Sequence, residues 1–253
     1  MEPLITQALR CELFRAGRPL LDYVLTNVDR SLIGERAILV VTSKIVSIAE
    51  RRFVTRASID KSSLVRREAD QWLCETPFGI ALTIKEGLLI PSAGIDESNS
   101  ENGDYLLYPE RPFVSAAKLW AELRAAWGLR DFGVLLADSR VSPLRRGTTG
   151  VALSYWGFNG VKSLIGQADL FARELRVTQI NVADGLAAAA VLAMGEGAER
   201  RPLAIIRGAD ATFVDRIDPA ELRIPAAEDL FSDLLHVRAG LDLSASQNDP
   251  IKD

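Results

Sequence analysis

Apolar residues recur along this chain in short runs separated by polar, turn-rich stretches. The period within each run predicts an element. The opening segment to Phe14 alternates as a strand does. Pro19–Asn27 follows as a short helix with Leu20, Leu21, Val24 and Leu25 on one face. Residues 36–42 (R-A-I-L-V-V-T) form a buried strand, and Ser43 caps the helical turns through Ile48. The spacing predicts an amphipathic helix over 60–74, opened by Asp60 or Ser62, then a hairpin of Gly79–Thr83 and Gly87–Ile90 around Lys85 and Glu86. Residues 92–104 are polar and turn-rich. Tyr105–Tyr108 reads as a strand and Ser115–Trp127 as a helix ending near Gly128. Phe132–Ala137 is a buried strand, followed by a polar loop through Gly147 and another strand at Gly150–Tyr155. A short helix is expected at 168–176, an alanine-rich one at Asp184–Met194 and a late strand at Leu203–Ile206. Hairpins and helices without regular strand–helix alternation predict an α+β fold. Residues 1–241 read as one domain of two intimate lobes, with 242–253 as a polar C-terminal tail.

Composition narrows the function. A chain of 253 residues, 48% hydrophobic and 25% charged, has the balance of a soluble protein with a sizeable core. A net charge of −4 argues against nucleic acid as the main partner. With a single histidine, His236, read as structural, a histidine triad or zinc centre is not expected. Cys11 and Cys74 lie far apart and read as free thiols of a reducing compartment. No leader and no apolar run long enough to span a bilayer is visible, so a cytoplasmic protein without a membrane partner is expected.

Four polar clusters sit at the ends of apolar segments: A-G-I-D-E-S-N (93–99), A-D-S-R-V-S-P-L-R-R-G (137–147), N-V-A-D-G-L-A-A-A-A (181–190) and M-G-E-G (194–197). They supply carboxylates, hydroxyls, arginines and glycines. Oxygen donors suit hard cations such as magnesium or manganese. Arginines beside Ser, Thr and Gly suit phosphate. Asp96 and Asn99 share a turn, where Asp96 can ligate a metal or both can simply form an Asx turn. Asp138 and Ser139 end a strand as a carboxylate beside a hydroxyl. Arg145 and Arg146 then supply forked donors for phosphate or a substrate carboxylate, or form a solvated basic loop. No Walker pattern is present. Ala187–Ala190 make a thin helix suited to close packing. Glu196 sits between two glycines at the helix's negative end, a conflict that a bound cation would remove.

Taken in order, V-V-T-S-K-I-V-S-I-A-E (40–50), A-G-I-D-E-S-N (93–99), G-V-L-L-A-D-S (133–139), R-R-G-T-T-G-V-A-L (145–153), D-L-F-A-R-E-L-R-V-T (169–178), V-A-D-G-L-A-A-A-A (182–190), M-G-E-G (194–197) and I-I-R-G (205–208) resemble the coenzyme F-420-0:L-glutamate ligase family, the gamma-glutamyl ligases of the deazaflavin coenzyme. The resemblance covers roughly residues 35–208. It implies a two-lobed α+β fold with mixed or antiparallel sheets and an interlocked homodimer. It also implies a ligase that joins L-glutamate to a carboxylate acceptor, using GTP (or ATP) and Mg2+ or Mn2+. By position, Asp96, Asp138, Ser139 and Glu196 correspond to metal ligands, and Asn99, Ser43 and Lys44 to nucleotide contacts. No catalytic residue is assigned.

The chain departs from the family pattern at Arg51 (usually glycine), Ile48 (often lysine), Val141 and Ser142 (where glycine and arginine are usual) and Gly185 (usually a carboxylate). The family's N-terminal leucine–proline segment is not recognisable. In this it is similar to a divergent bacterial branch assigned to folate metabolism, and the resemblance implies a deazaflavin or a folate-like acid as the expected acceptor. The rival reading is a non-catalytic homologue that keeps the nucleotide–metal pocket.

Overall fold

The structure, a computed structural model, describes residues 2–98, 100, 102–225, 227–233 and 235. In chain order the strands are β1 (Ile5–Leu9), β2 (Ala37–Thr42), β3 (Phe53–Val54), β4 (Gln71–Glu75), β5 (Ala81–Lys85), β6 (Leu88–Pro91), β7 (Tyr105–Leu106), β8 (Phe132–Val141), β9 (Thr148–Trp156), β10 (Val161–Ser163), β11 (Gln179–Asn181) and β12 (Leu203–Arg207). The α-helices are α1 (Leu20–Asn27), α2 (Ser43–Ala49), α3 (Lys61–Glu68), α4 (Pro112–Trp127) and α5 (Val182–Met194). The fold is α+β. None of the helices among the described residues is long and apolar enough to cross a membrane. The chain divides into two units: Met1–Val54 with Glu97–Leu222, and Thr55–Asp96 with the described part of the chain after Leu222.

The first unit is built on a five-stranded sheet of order β1-β12-β2-β8-β9. Only β2 and β8 run parallel. Side chains alternate across the sheet because the strand period is two. Leu39, Val41, Val134, Leu136, Leu203 and Ile205 face α1, α2 and α4, meeting Tyr23, Trp120, Leu123 and Trp127. Ile38, Val40, Leu135, Ala137, Ala204 and Ile206 face α5, meeting Ala183, Leu186, Ala187, Ala190 and Met194. Both faces are covered, which explains why β2 is a continuous apolar run rather than an alternating one.

Local chemistry sets the element ends. Pro112 opens α4 and Gly128, at φ 64°, closes it in the left-handed conformation. Asn181 caps α5 by accepting the Asp184 N–H at 2.9 Å. Gly150 lets α5 approach β9 directly: a Cβ there would lie 2.2 Å from the Ala187 carbonyl oxygen. The alanine run packs as its thinness predicts.

In the second unit β4, β5 and β6 form an antiparallel sheet against α3. Asp60 caps α3 through the Ser63 N–H at 2.9 Å. The β5–β6 turn is Glu86-Gly87, both at positive φ, the form that matches strand twist. Thr83 donates to Ile90 O and accepts from Ala93 N, fixing the left-handed run Ser92–Gly94 just before Asp96.

Several expectations are corrected. The opening strand stops at Leu9, well short of Phe14. Thr42, not Ser43, is the N-cap residue of α2, without a side-chain cap bond, and Ser43 is the buried first helical residue. The helix expected over 60–74 ends at Glu68, because Gln71–Glu75 pair with β5 and sheet pairing overrides the helical pattern. The strand expected to end at Ala137 runs on to Val141, paired with β9, so Asp138 lies within a strand and not in a loop. Residues 168–176 form no helix. They fold as turns held by an Ala168–Glu174 bridge and by the Asp169 carboxylate, which accepts from Phe171 N and Arg173 N. The tail 242–253 lies outside the described residues.

Candidate functional site

The parallel pair β2–β8 ends with Thr42 opposite Ala137. Antiparallel β12 begins, and β1 ends, at this same edge, since Leu9 pairs with Leu203 and Leu203 with Val41. The carboxyl ends of parallel strands are a favoured place for ligands. Here the first unit holds a pocket of about 400 Å³. Its walls come from residues 12–14 after β1, the start of α2, Asp138 and Ser139 of β8, and the loop from the end of α5 to β12.

Each wall is fixed by its own bonds. Tyr23 donates from its hydroxyl to Glu12 O at 2.7 Å, and Glu12 N donates to Asn27 Oδ1 at 3.2 Å. Phe14 meets Tyr23 edge-on at 4.9 Å. The Arg18 guanidinium pairs with the Glu12 carboxylate and holds its pKa below the ordinary value. Burial raises the Tyr23 pKa, so the hydroxyl stays a neutral donor. Burial likewise raises that of Cys11, whose thiol donates to Leu9 O at 3.3 Å, an inert structural role.

The opposite wall turns on glycine. Gly195, at φ 82° and ψ 168°, follows α5 in a conformation essentially limited to glycine. Gly197 N donates to Glu199 Oε2 at 2.8 Å, which closes the loop on itself. Arg201 donates to Ala193 O at 3.3 Å, satisfying a carbonyl at the helix's negative end. Within this loop Glu196 reaches across to β8, where Ser139 donates from its hydroxyl to Glu196 Oε2 at 3.2 Å.

The structure therefore brings Lys44, Asp138, Ser139 and Glu196 to one pocket, although they are far apart in sequence. Ser43 is adjacent but buried and not on the lining. Arg145 and Arg146 are exposed at the tip of the β8–β9 hairpin, outside the lining. Asp96 belongs to the second unit. Asn99 and His236 lie outside the described residues. Among the departures from the family pattern, Ile48 lines the pocket, whereas Val141 and Gly185 do not. Sequence reasoning missed Glu12, Leu13, Phe14, Arg200 and Arg201 as lining residues. Their only signal was topological: they flank β1 and β12, which end and begin at this edge.

Residues 8–208 match the family described as F420-0:Gamma-glutamyl ligase. The chain belongs to that family. It is 30% identical over 234 residues to the coenzyme F420:L-glutamate ligase of Methanococcus maripaludis, covering 84% of this chain and 94% of the relative. The protein of the same name from Methanopyrus kandleri is 31% identical over 211 residues, 77% of this chain and 83% of the relative. That of Methanosarcina mazei is 43% identical over 136 residues, 54% of this chain. In this last case the match spans 53% of the relative's length. The Asp138–Ser139 and Glu196 motifs of this family member thus face one another across its pocket.

Asp138, Ser139 and Glu196 offer two carboxylates and a hydroxyl, an all-oxygen donor set that fits a hard divalent cation. Among the described residues no group of three or more His, Cys, Asp or Glu side chains gathers as a complete cage. A magnesium-type site does not require one, since such ions keep waters and take substrate phosphate oxygens.

Proposed function

We propose that this protein is a gamma-glutamyl ligase that joins the amine of L-glutamate to a carboxylate of coenzyme F420-0 or of a related folate-like acid, with GTP (or ATP) and Mg2+ or Mn2+. The reading is supported above all by the Ser139–Glu196 contact beside Asp138 at the pocket edge, within a chain that belongs to the F420-0:Gamma-glutamyl ligase family.

The acceptor carboxylate attacks the γ-phosphorus and the nucleoside diphosphate leaves. The acyl phosphate formed is attacked by the glutamate amine. The amide bond forms, phosphate leaves with the bonding pair, and the amine proton passes to solvent or phosphate. Asp138, Ser139 and Glu196 would hold a divalent cation, which would supply positive charge against the transferring phosphoryl oxygens. Lys44, with Arg200 and Arg201 on the same lining, supplies positive charge for the nucleotide phosphates and the glutamate carboxylates. Leu13, Phe14 and Ile48 give the pocket an apolar part that excludes water from a reactive acyl phosphate.

The protein works as a homodimer in this reading. Leu170, Phe171 and Val177 are 98%, 77% and 84% exposed in the first unit, apolar surface that a second copy would cover. Isotope-labelled glutamate incubated with acceptor, nucleotide and cation, followed by mass spectrometry, tests the function. A nucleotide-dependent glutamyl adduct is expected. Nucleotide binding without product from any acceptor would replace the ligase by a binding-only homologue.

A further inference from the structure

The β8–β9 ladder is irregular at one place. Leu136 pairs with Ser154, but Ala137 pairs with Ala152, so Leu153 is an extra residue on β9. Such a bulge re-aims the side chains beyond it. The residues beyond it on β8 are Asp138 and Ser139. The amide of Ala152, next to the bulged residue, donates to Asp184 Oδ1 at 2.9 Å. Asp184 Oδ2 accepts from Asn181 Nδ2 at 2.9 Å and stands 3.8 Å from an Arg140 guanidinium nitrogen on β8. Asp184 is itself in the first turn of α5, the helix that delivers Glu196.

One carboxylate therefore touches the strand opposite Asp138, the strand that carries it, and the helix that leads to Glu196. We infer that Asp184 is a positioning residue: it locks the bulge and the start of α5 together, and so sets the distance between Glu196 and the Asp138–Ser139 pair. The lever is long. From Asp184 to Met194 the helix rises about 15 Å. A tilt of about 4° at its start shifts the far end by about 1 Å, enough to break a 3.2 Å contact between Ser139 and Glu196. The role does not need Asp184 to touch substrate or cation, and it lies outside the pocket lining.

The inference rests on the cation reading of the Asp138–Ser139–Glu196 site. Its test separates the two. Asp184→Ala removes both oxygens, whereas Asp184→Asn keeps an acceptor for the Ala152 amide. Mn2+ affinity is followed by electron paramagnetic resonance, and amide exchange by NMR without any ligand. In Asp184→Ala, exchange is expected to speed up at Ala152, Asp138 and Ser139, and Mn2+ affinity to fall about 10–100-fold, the usual effect of losing a supporting partner. Asp184→Asn is expected to restore protection and most of the affinity. A merely structural role would lower the melting temperature without this rescue pattern in affinity. Unchanged exchange in Asp184→Ala, or Mn2+ affinity equal to wild type, overturns the positioning role. Accelerated exchange with no Mn2+ binding by the wild type would instead overturn the cation site and leave the bulge lock standing.

Discussion

Two glycine-to-alanine changes that touch α5 should have opposite signs. At Gly150 an added Cβ would lie 2.2 Å from Ala187 O, 2.6 Å from its carbonyl carbon and 2.9 Å from the Ala188 Cα. All three are backbone atoms, so no side chain can rotate away. Neither glycine has a positive φ, so strain in the substituted residue itself plays no part. Helix α5 must retreat by roughly 1 Å, which already forfeits a quarter to a half of each contact's dispersion energy. The helix faces β9 through Ala183, Ala187 and Ala190, all fully buried, and these small residues cannot extend to refill the gap. Overpacking of this kind costs about 1–3 kcal/mol. In a chain of this size that lowers the melting temperature by about 2–12 °C. At Gly185, in the same helix, an added Cβ meets nothing within 4 Å. Alanine there should stabilise by about 0.5–1 kcal/mol through lower unfolded-state entropy, a rise of about 1–4 °C. Scanning calorimetry of both variants measures the contrast. Titration with Mg–GTP adds the functional half: Gly150→Ala moves Glu196 away from Ser139 and should bind more weakly, while Gly185→Ala should match wild type. A Gly150→Ala protein as stable as wild type would refute the close helix–strand contact and the reasoning built on it.

Asp138→Asn keeps shape but removes a charge; it should fold normally and bind Mg–nucleotide more weakly by about 1.5–3 kcal/mol, by analogy with hydrogen bonds to charged groups, and equal affinities in calorimetric titration would remove Asp138 from the site. Glu35 accepts from Arg130 N and Asp131 N at 3.0 and 2.7 Å, and the Asp131 and Arg130 amides hold its pKa below the ordinary value. Its stabilisation is therefore full above the ordinary Glu range of about 4.3 and is lost as pH falls through the lowered folded value. Urea unfolding of Glu35→Gln should differ from wild type at neutral pH and converge with it in acid; a gap that persists in acid would count against a charge-dependent bond from Glu35 to the two amides. Light scattering should report a dimer at micromolar concentration, and a Phe171→Asp variant should shift it toward monomer; a monomeric wild type would sink the second-copy reading.

The sequence by itself determined the main helices, the buried strands and the α+β class, because these follow from local periodicity and from end signals such as Gly128 and Asp60. It also marked Asp138, Ser139 and Glu196, since polar residues at the ends of apolar runs stand out and their order matches one family. Tertiary structure decided the rest. Gln71–Glu75 became a strand because β5 was there to pair with it. Asp138–Val141 stayed in a strand because β9 supplied partners for polar residues that alone would read as loop. Glu12, Phe14, Arg200 and Arg201 reached the pocket only because β1 and β12 run antiparallel to their neighbours and place their ends beside those of β2 and β8. Asp184 stood in the sequence only as the start of an alanine-rich helix, and its link to the β9 bulge depends on a register shift that no local pattern encodes. Periodicity records which face of an element is buried; pairing partners, register and the meeting of distant ends are set by contacts between residues remote in sequence.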